Sequence, residues 1–346
     1  MNNIFPWQNE IWKILTKNKS SIGHAILLKG KKGIGKLEFA KSLAKSLLCE
    51  DRLSENQACG SCSGCRWFEQ AGHPDFYLVE PEALSESSGE SKEKPSSAKL
   101  KKKPSKQVSV AQIRALNDVV NMSSHRNGYK IVIINPAEAM NVAAANALLK
   151  NLEEPPPQTL FILVTHRPHH ILPTIHSRCR QIAMPAPDFN LAIDWLEKQD
   201  IEGAEDSLAA VGYAPLAALE YNNGDYRLEH ENFINNISVL NGLNPILLAE
   251  ELQKSDLPTT ISWLQKWCYD LMSCRTTGKI RYHLSMQAEI EELVPKIEPL
   301  KLARYLRNLI DMQRLAHHTL NPRLFLEEAF ISYAMLMAPA RSNQRG

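Results

Sequence analysis

The chain has 346 residues, a formal net charge of +2 and seven cysteines. The length favours two or three domains, and the small charge gives no whole-chain argument for a nucleic-acid binder. The first residues lack the pattern of a signal peptide, and no apolar run has the length of a membrane span. We therefore expect a cytoplasmic protein without a disulfide framework.

A glycine-rich turn is the first motif along the chain. A helix predicted up to about residue 23 and an apolar strand at 25–28 precede it, and a helix with apolar residues at intervals of three and four follows it. Strand, glycine-rich turn and helix in this order are typical of a phosphate-binding P-loop, although a chance turn is the alternative. The residues of the predicted site are Gly30, Gly33, Gly35 and Lys36.

Four cysteines follow the P-loop helix in a segment rich in glycine and serine. Their spacing is C-x9-C-x2-C-x2-C, and two-residue gaps allow neighbouring thiolates to converge on one ion. Four thiolates in a reducing compartment favour a structural zinc ion, while an iron–sulfur cluster or unliganded thiols are the competing interpretations. The predicted zinc ligands, in a module at about residues 49–66, are Cys49, Cys59, Cys62 and Cys65.

Residues from about 82 to 107 are rich in Ser, Glu, Lys and Pro and almost free of apolar side chains. Such a segment cannot bury enough apolar surface to offset the entropy of ordering it, so we predict a disordered insertion. The insertion ends in a basic run from Lys99 to Lys106. That run is either a solvated linker or a weak contact for nucleic-acid phosphates.

Strands and helices alternate through the rest of the first half. The apolar runs at 76–79, 130–134 and 160–164 predict strands, and a helix is predicted at 141–153. Another helix should begin at Ser109 with a capping box. This alternation favours an α/β fold with a parallel sheet that helices cover on both faces.

The second half of the nucleotide site lacks its acidic residues. In a P-loop ATPase a second apolar strand ends in Asp-Glu, which hold magnesium and orient the attacking water. Here the matching strand ends in Asn135-Pro136, and Glu138 follows two positions too late. Leu37 also stands where a hydroxyl should bind magnesium. We therefore predict no magnesium site and negligible hydrolysis by the isolated chain. ATP binding is doubtful but stays open, because the glycine loop and Lys36 are intact.

Arg178 lies on a turn between the strand at 160–164 and a short strand at 181–183. An arginine at the edge of a domain could reach a neighbour's nucleotide, and an arginine finger supplied in trans is worth roughly 10³- to 10⁵-fold in rate. From spacing alone, an ordinary surface or ion-pair arginine is the favoured interpretation.

Several segments resemble clamp-loader subunits of the AAA+ family. Ser177-Arg178-Cys179 is similar to their Ser-Arg-Cys motif, and residues 146–156 are similar to their segment before the sensor strand. The four-cysteine insertion resembles the zinc module of bacterial clamp loaders, and residues 5–8 and 73–75 also match. The motor subunits, gamma and tau, carry an intact P-loop, an Asp-Glu pair and a sensor arginine where this chain has Pro215. The chain therefore resembles the delta-prime branch.

The resemblance implies a three-part architecture. A RecA-like α/β AAA+ domain with the inserted zinc module would span residues 1–186, a small helical lid 187–227, and an all-α collar 228–340. Apolar residues at helical spacing within 261–271 and 302–309 predict helices in the collar independently. Most of those residues should form the domain core, and some should pack against partner collars.

The resemblance also implies a function. The chain would be a non-hydrolysing stator in a pentameric DNA polymerase III clamp loader, beside delta and three gamma or tau copies. Arg178 would enter the ATP site of the adjacent motor subunit, contact with the sliding clamp would be indirect, and primed DNA would be bound through its backbone phosphates. The alternatives are a divergent active ATPase of the gamma or tau type, and a zinc-dependent DNA-binding module attached to an inactive fold.

Overall fold

The computed structural model describes residues 4–17, 22–53, 56–85, 104–122, 128–223, 226–239, 243–318 and 320–338. The backbone divides into two compact units, residues 1–191 and 192–346. The domain boundaries expected after residues 186 and 227 stay predictions.

The first unit is built on one parallel sheet. Its strands are β1 (Ala25–Lys29), β2 (Phe76–Val79), β3 (Lys130–Ile134), β4 (Thr159–Thr165) and β5 (Arg180–Ala183). They pair in the order β2-β3-β4-β1-β5. The central strands β1, β3 and β4 are buried on both faces, which is why their sequences are continuous apolar runs. The edge strand β5 is largely exposed.

Helices flank this sheet and confirm most of the predicted elements. The helices of the first unit are α1 (Asn9–Lys17), α2 (Lys36–Leu48), α3 (Ser63–Glu69), α4 (Glu82–Ser85), α5 (Val110–Val120), α6 (Val142–Glu153) and α7 (Pro173–His176). The capping box predicted at Ser109 is present, because Ser109 Oγ accepts the N–H of Gln112 and Gln112 Oε1 accepts the N–H of Ser109. The α6 helix begins where Asn141 caps the N–H of Ala144.

The N-terminal helix differs from its prediction. A 3-10 turn at Pro6–Gln8 comes first, and α1, described over Asn9–Lys17, begins only after it. Pro6 tolerates the first position of such a turn because its missing N–H would have no partner there. The side chain of Gln8 is turned towards the P-loop, which gives this turn a tertiary role that helical periodicity cannot reveal.

The predicted insertion at about 82–107 lies mostly outside the described residues, as does most of its basic run. Its two ends are described, and they meet. Glu82 Oε2 accepts the N–H of Ser105 at 3.2 Å, and the N–H of Ala83 donates to the Ser105 carbonyl at 3.1 Å. The insertion therefore leaves and re-enters the unit at one place, and disorder between these ends stays a prediction.

The second unit is helical throughout its described residues. Its helices are α8 (Phe189–Glu197), which starts in the first unit, and then α9 (Ala204–Ala210), α10 (Pro215–Asn222), α11 (Tyr226–Ser238), α12 (Pro245–Leu252), α13 (Leu257–Thr277), α14 (Gln287–Leu293), α15 (Pro299–Leu315) and α16 (Pro322–Met337). The apolar positions predicted at 261–271 and 302–309 lie in one core, so those helix predictions are confirmed. Within the described part of the chain, no helix combines the length and the apolar character needed to cross a membrane.

Candidate functional site

The glycine-rich loop connects β1 to α2 at the carboxyl edge of the sheet. Gly33 and Gly35 have φ angles of +79° and +83°, in the left-handed region that favours glycine. Gly30 is required for a different reason, since a Cβ there would lie 2.4 Å from the carbonyl oxygen of Met184. The three glycines therefore allow a backbone path that other residues would strain, and the loop has the form expected of a phosphate cradle.

Lys36 is the first residue of α2 and is 2% exposed. Its Nζ donates to the carbonyl of Gly30 at 2.8 Å and also to the carbonyl of Lys31. The ammonium therefore lies across the loop and is hydrogen-bonded to it. Burial lowers the pKa of Lys36 to about 8, although the negative charge of Glu138 acts in the opposite direction.

The N-terminal turn braces the loop from outside. Gln8 Nε2 donates to the carbonyls of Ile34 at 3.0 Å and Gly35 at 2.7 Å, and Trp7 Nε1 donates to Ile34 at 3.0 Å. The ring of Phe5 lies so close to Gly35 that a Cβ there would be 2.5 Å from it. Phe5 and Trp7 also stack, with ring centroids 5.0 Å apart. The segment at residues 5–8 therefore fixes the shape of the glycine loop.

The end of β3 offers an amide in place of a carboxylate. Asn135 is buried, and its Nδ2 donates to Glu80 Oε1 at 2.7 Å. Glu80 directly follows β2, so the contact joins the carboxyl ends of two neighbouring strands. Pro136 follows, and Leu37 replaces the hydroxyl ligand of the P-loop. The three positions that bind magnesium and water in a P-loop ATPase thus hold an amide, a proline and a leucine.

Arg178 has partners on its own chain. Its Nη2 lies 2.6 Å from Glu153 Oε1, at the end of α6. Its Nη1 donates to the carbonyl of Thr174 at 3.0 Å and, at 3.4 Å, to Ser177 Oγ. The ion pair that spacing alone favoured is therefore present. The Arg178 side chain is still 34% exposed, so the guanidinium is also open to solvent.

Arg178 and the P-loop lie at opposite ends of the sheet. In the parallel pair of β1 and β5, Ile26 is opposite Arg180 and Lys29 is opposite Ala183. The P-loop follows the carboxyl end of β1, whereas Arg178 precedes the amino end of β5. At about 3.3 Å per residue, they are separated by roughly 20 Å along the strands. Arg178 is thus remote from the nucleotide loop of its own chain.

The four predicted metal ligands come together where the end of α2 meets the first turn of α3. The sulfur atoms of Cys49, Cys59, Cys62 and Cys65 all lie within 4.8 Å of one another, and those of Cys49 and Cys62 are 3.9 Å apart. Zn–S bonds of about 2.3 Å in a tetrahedron require sulfur atoms about 3.8 Å apart, so the arrangement fits zinc. In the absence of an ion the four thiols differ, because burial raises the pKa of Cys49 and Cys65 whereas backbone N–H groups favour the thiolate of Cys59. Bonds from Cys62 N–H and its neighbours lower the pKa of Cys59 to about 6.

Polar contacts attach the cysteine module to the helices around it. Lys45 of α2 is almost buried and forms an ion pair of 2.7 Å with Glu69 of α3. Asn56, between Cys49 and Cys59, donates from Nδ2 to the carbonyl of Thr16 in α1 at 3.1 Å. The module is thus joined to both helices that precede it.

Comparison with known proteins identifies the family. A family model described as DNA polymerase III, delta subunit, matches residues 7–188, just over half of the chain, and a second model, for the C-terminal part of a DNA polymerase III delta subunit, matches residues 226–333. The chain is 32% identical to the DNA polymerase III subunit delta' of Pseudomonas aeruginosa, over 98% of this chain and 100% of that protein. This chain belongs to the DNA polymerase III delta' family.

A second relative agrees with the delta' assignment. The chain is 26% identical to subunit delta' of Escherichia coli, over 97% of this chain and 96% of that protein. A solved structure of a DNA polymerase III gamma subunit-related protein from Thermotoga maritima aligns with 96% of this chain and 100% of that one, at 18% identity and a TM-score of 0.45. The resemblance stated from the sequence, and the α/β AAA+ fold class with an all-α C-terminal region, are confirmed.

Beside the P-loop of this delta' family member, sequence reasoning set Glu138 aside and missed His166. Glu138 lies in a 3-10 turn after β3, and its Oε1 accepts the N–H of His166 at 2.9 Å. Its charge acts on Lys36, although the sequence places Glu138 two positions too late for an ATPase glutamate. Burial and the charge of Lys36 lower the pKa of His166 to about 4. The sequence drew attention to Glu138 through its proximity to the missing acidic pair, and no sequence signal indicated His166.

Proposed function

We propose that this chain is a non-hydrolysing stator subunit of a bacterial DNA polymerase III clamp loader. It would assemble with delta and with motor subunits of the gamma or tau type in a hetero-pentamer that loads the sliding clamp on primed DNA. Its contact with the clamp would be indirect, and its contact with DNA would be to backbone phosphates. Membership of the delta' family supports this role, from which a cytoplasmic location follows.

Arg178 would act on the nucleotide of a neighbouring motor subunit. The observation that carries this proposal is the position of Arg178 at the amino edge of the sheet, where it is partly exposed and remote from its own P-loop. A guanidinium in that position would stabilise the charge that develops on a transferred phosphoryl group. The chain would thus contribute Arg178 to the ATPase site of a motor subunit, although it would not hydrolyse ATP at its own P-loop.

Loss of hydrolysis would follow from the chemistry of three positions. Asn135, Pro136 and Leu37 supply no anionic or hydroxyl oxygen for magnesium and no base for water. Asn135 offers magnesium only a neutral amide oxygen in place of a carboxylate, and its Nδ2 donates to Glu80. Without metal and positioned water, the main electrostatic contributions to phosphoryl transfer are missing.

The test uses the purified chain first and the reconstituted loader second. We expect no magnesium-dependent ATP turnover by the chain alone. In the loader, we expect Arg178→Ala to lower the kcat of the motor subunits strongly while the pentamer still forms. Unchanged turnover with Arg178→Ala in an assembled pentamer contradicts the proposal. Arg180→Ala, two residues further on and outside the Ser-Arg-Cys motif, is the matched control.

A divergent active ATPase is the second candidate, and the observation that favours it is Glu138. Its carboxylate interacts with Lys36, and its Oε2 is buried without a hydrogen-bond partner among the described residues. Such a group could take the role of the missing acidic pair. ATP turnover by the isolated chain that requires magnesium and disappears with Glu138→Gln would establish this candidate and remove the stator proposal.

We also propose that Cys49, Cys59, Cys62 and Cys65 bind a structural zinc ion. All four positions around the metal would be filled, so the ion would have no open position for a substrate. Its contribution would be to hold the segment between α2 and α3 in place. A zinc-dependent DNA-binding module predicts instead that chelation abolishes DNA affinity while the fold of residues 46–69 is unchanged. Hydrogen exchange and DNA titration on the same chelated sample distinguish the two.

A further inference from the structure

Glu153 and Arg178 belong to two segments that lie 25 residues apart and meet at the amino edge of the sheet. Glu153 is the last residue of α6, before β4, and Arg178 follows α7, before β5. Their side chains form the contact of 2.6 Å between Arg178 Nη2 and Glu153 Oε1. Neither α6 nor the turn after α7 fixes this contact alone, so it is a tertiary feature of the place where Arg178 is presented.

The contacts restrain the guanidinium from two sides. Nη2 is held by the carboxylate of Glu153, while Nη1 donates to the Thr174 carbonyl and to Ser177 Oγ. A guanidinium is planar and has five N–H groups, so contacts at both terminal nitrogens fix its plane and direction. These contacts use only part of the five donors. The group can therefore keep its anchor and still donate to a further anion.

The ion pair contributes little as a stabilising contact of the fold. Both partners are partly exposed, Arg178 at 34% and Glu153 at 49%, and exposed pairs are screened by water and salt. The main effect of the ion pair is therefore to orient the guanidinium of Arg178. A catalytic group that is already oriented loses less freedom when the transition state forms, and a misplacement of about 1 Å can cost on the order of 10² in rate.

We propose that Glu153 is a positioning residue for Arg178. It holds the guanidinium at the edge of the sheet in the orientation that a neighbouring subunit's triphosphate would meet. This inference rests on the proposed function, because it assigns Glu153 a role only if Arg178 acts in trans. Glu153 itself would not contact the nucleotide. It would act through Arg178 and so affect the rate of the chemical step more than the affinity for ATP.

The test measures steady-state ATP hydrolysis by the reconstituted loader with sliding clamp and primed DNA. We compare Glu153→Gln, which keeps the shape and removes the charge, with Glu154→Gln, which changes the adjacent exposed carboxylate. We expect Glu153→Gln to lower kcat by about tenfold with KM almost unchanged, and Glu154→Gln to leave both unchanged. Glu153→Asp, which retains a carboxylate on a shorter side chain, should recover part of the rate.

Two further variants separate failure of this inference from failure of the proposed function. Arg178→Ala alone should lower kcat at least as much as Glu153→Gln, and the double variant should be no slower than Arg178→Ala. If Arg178→Ala lowers kcat but Glu153→Gln matches the unmodified loader, the positioning role is wrong and the stator function stands. If Arg178→Ala has no effect, the proposed function itself fails. An additive double variant also contradicts the positioning role.

Discussion

Asn135 Nδ2 donates to Glu80 Oε1 at 2.7 Å, across the carboxyl ends of β3 and β2. The amide thus stands where an ATPase of this fold needs a carboxylate, and it is paired with a carboxylate from the next strand. Asn135 Oδ1 is buried and has no hydrogen-bond partner within the part of the chain that is described. This arrangement suits a neutral side chain at position 135 and opposes a charged one.

Asn135→Asp should therefore destabilise the first unit and fail to create an ATPase. The substitution replaces an amide donor with a second carboxylate next to Glu80, and two like charges at that distance repel. We expect a loss of about 1–3 kcal/mol in the free energy of unfolding at pH 7, measured by urea denaturation. ATP turnover should stay at background because Leu37 and Pro136 are unchanged.

The double variant Asn135→Asp/Glu80→Gln tests the cause of that loss. It restores a pairing of one amide and one carboxylate, so most of the lost stability should return. The variant Asn135→Asp/Glu138→Gln provides a comparison, because it removes a different negative charge near the carboxyl ends of the strands and leaves Glu80 in place. If the double variant with Glu80→Gln is as unstable as Asn135→Asp alone, the repulsion from Glu80 is not the reason.

The elements of the first unit could be predicted because their signals are local. Continuous apolar runs identified β1, β3 and β4, and a capping box identified the start of α5. The cysteine cluster could be predicted for the same reason, since two-residue gaps restrict where the thiols can lie. In each case a short spacing determines most of the structure, and Cys49, which nine residues separate from Cys59, is the exception.

The side-chain partners could not be predicted in this way. Asn135 and Glu80 are 55 residues apart, and they meet only because β2 and β3 are neighbours in the sheet. Arg178 and Glu153 depend likewise on how α6 and the turn after α7 reach the amino edge. The sequence shows which motif residues of the site are present and which are replaced. The order of the strands in the sheet determines which other side chains contact them.

Gly35→Ala should destabilise the first unit more than Gly23→Ala. Both residues have positive φ angles, +83° at Gly35 and +76° at Gly23, so alanine strains the backbone at either position. A Cβ at Gly35 would also lie 2.5 Å from the ring of Phe5, whereas nothing lies within 4 Å of one at Gly23. We expect a loss of about 1 kcal/mol for Gly23→Ala and about 2–4 kcal/mol for Gly35→Ala in urea denaturation.

The variant Phe5→Ala/Gly35→Ala identifies the source of the difference. Removal of the Phe5 ring should leave only the backbone strain at Gly35. The loss of unfolding free energy from Phe5→Ala to the double variant should therefore equal the loss caused by Gly23→Ala. Equal losses for Gly23→Ala and Gly35→Ala in the presence of Phe5 would show that the N-terminal turn does not brace the loop.

Chelation of zinc should unfold the cysteine module locally. Without the ion, four thiols would be left close together, and the burial of Cys49 would no longer be compensated by metal bonds. We expect hydrogen exchange to increase at residues 46–69 while β3 and β4 stay protected. Cys62→Ser should reproduce the effect and lower the zinc content measured by atomic absorption.

Cys274→Ser is the matched control for the zinc experiment. Cys274 is a partly exposed thiol in α13, outside the cluster, so its replacement should leave the zinc content and the exchange of residues 46–69 unchanged. A preparation whose bound metal is iron with acid-labile sulfide would support the iron–sulfur alternative. Unchanged exchange after complete removal of zinc would contradict a structural role for the ion.

The second unit should lose stability as the pH falls below neutrality, because His230 is buried in its neutral form. His230 Nδ1 lies 2.8 Å from the hydroxyl of Tyr221, and burial together with the charge of His283 lowers its pKa to about 3. In the unfolded chain the pKa returns to about 6.5, so the unfolded state binds the proton first. Stability is therefore fully present above about pH 6.5 and is lost as the pH falls towards 3, by about 2 kcal/mol at pH 5.

Urea denaturation at pH 7.5 and pH 5, monitored by hydrogen exchange of α13, which carries the buried Trp263 and Trp267 of the second unit, measures that loss. His230→Leu removes the titrating group, so the difference between the two pH values should shrink by about 2 kcal/mol even if the variant is less stable at both. His318→Leu, which replaces an exposed histidine of the same unit, should retain the full difference. If His230→Leu also retains it, another group that titrates between these pH values causes the acid sensitivity, and the neutral state of His230 in the folded chain does not.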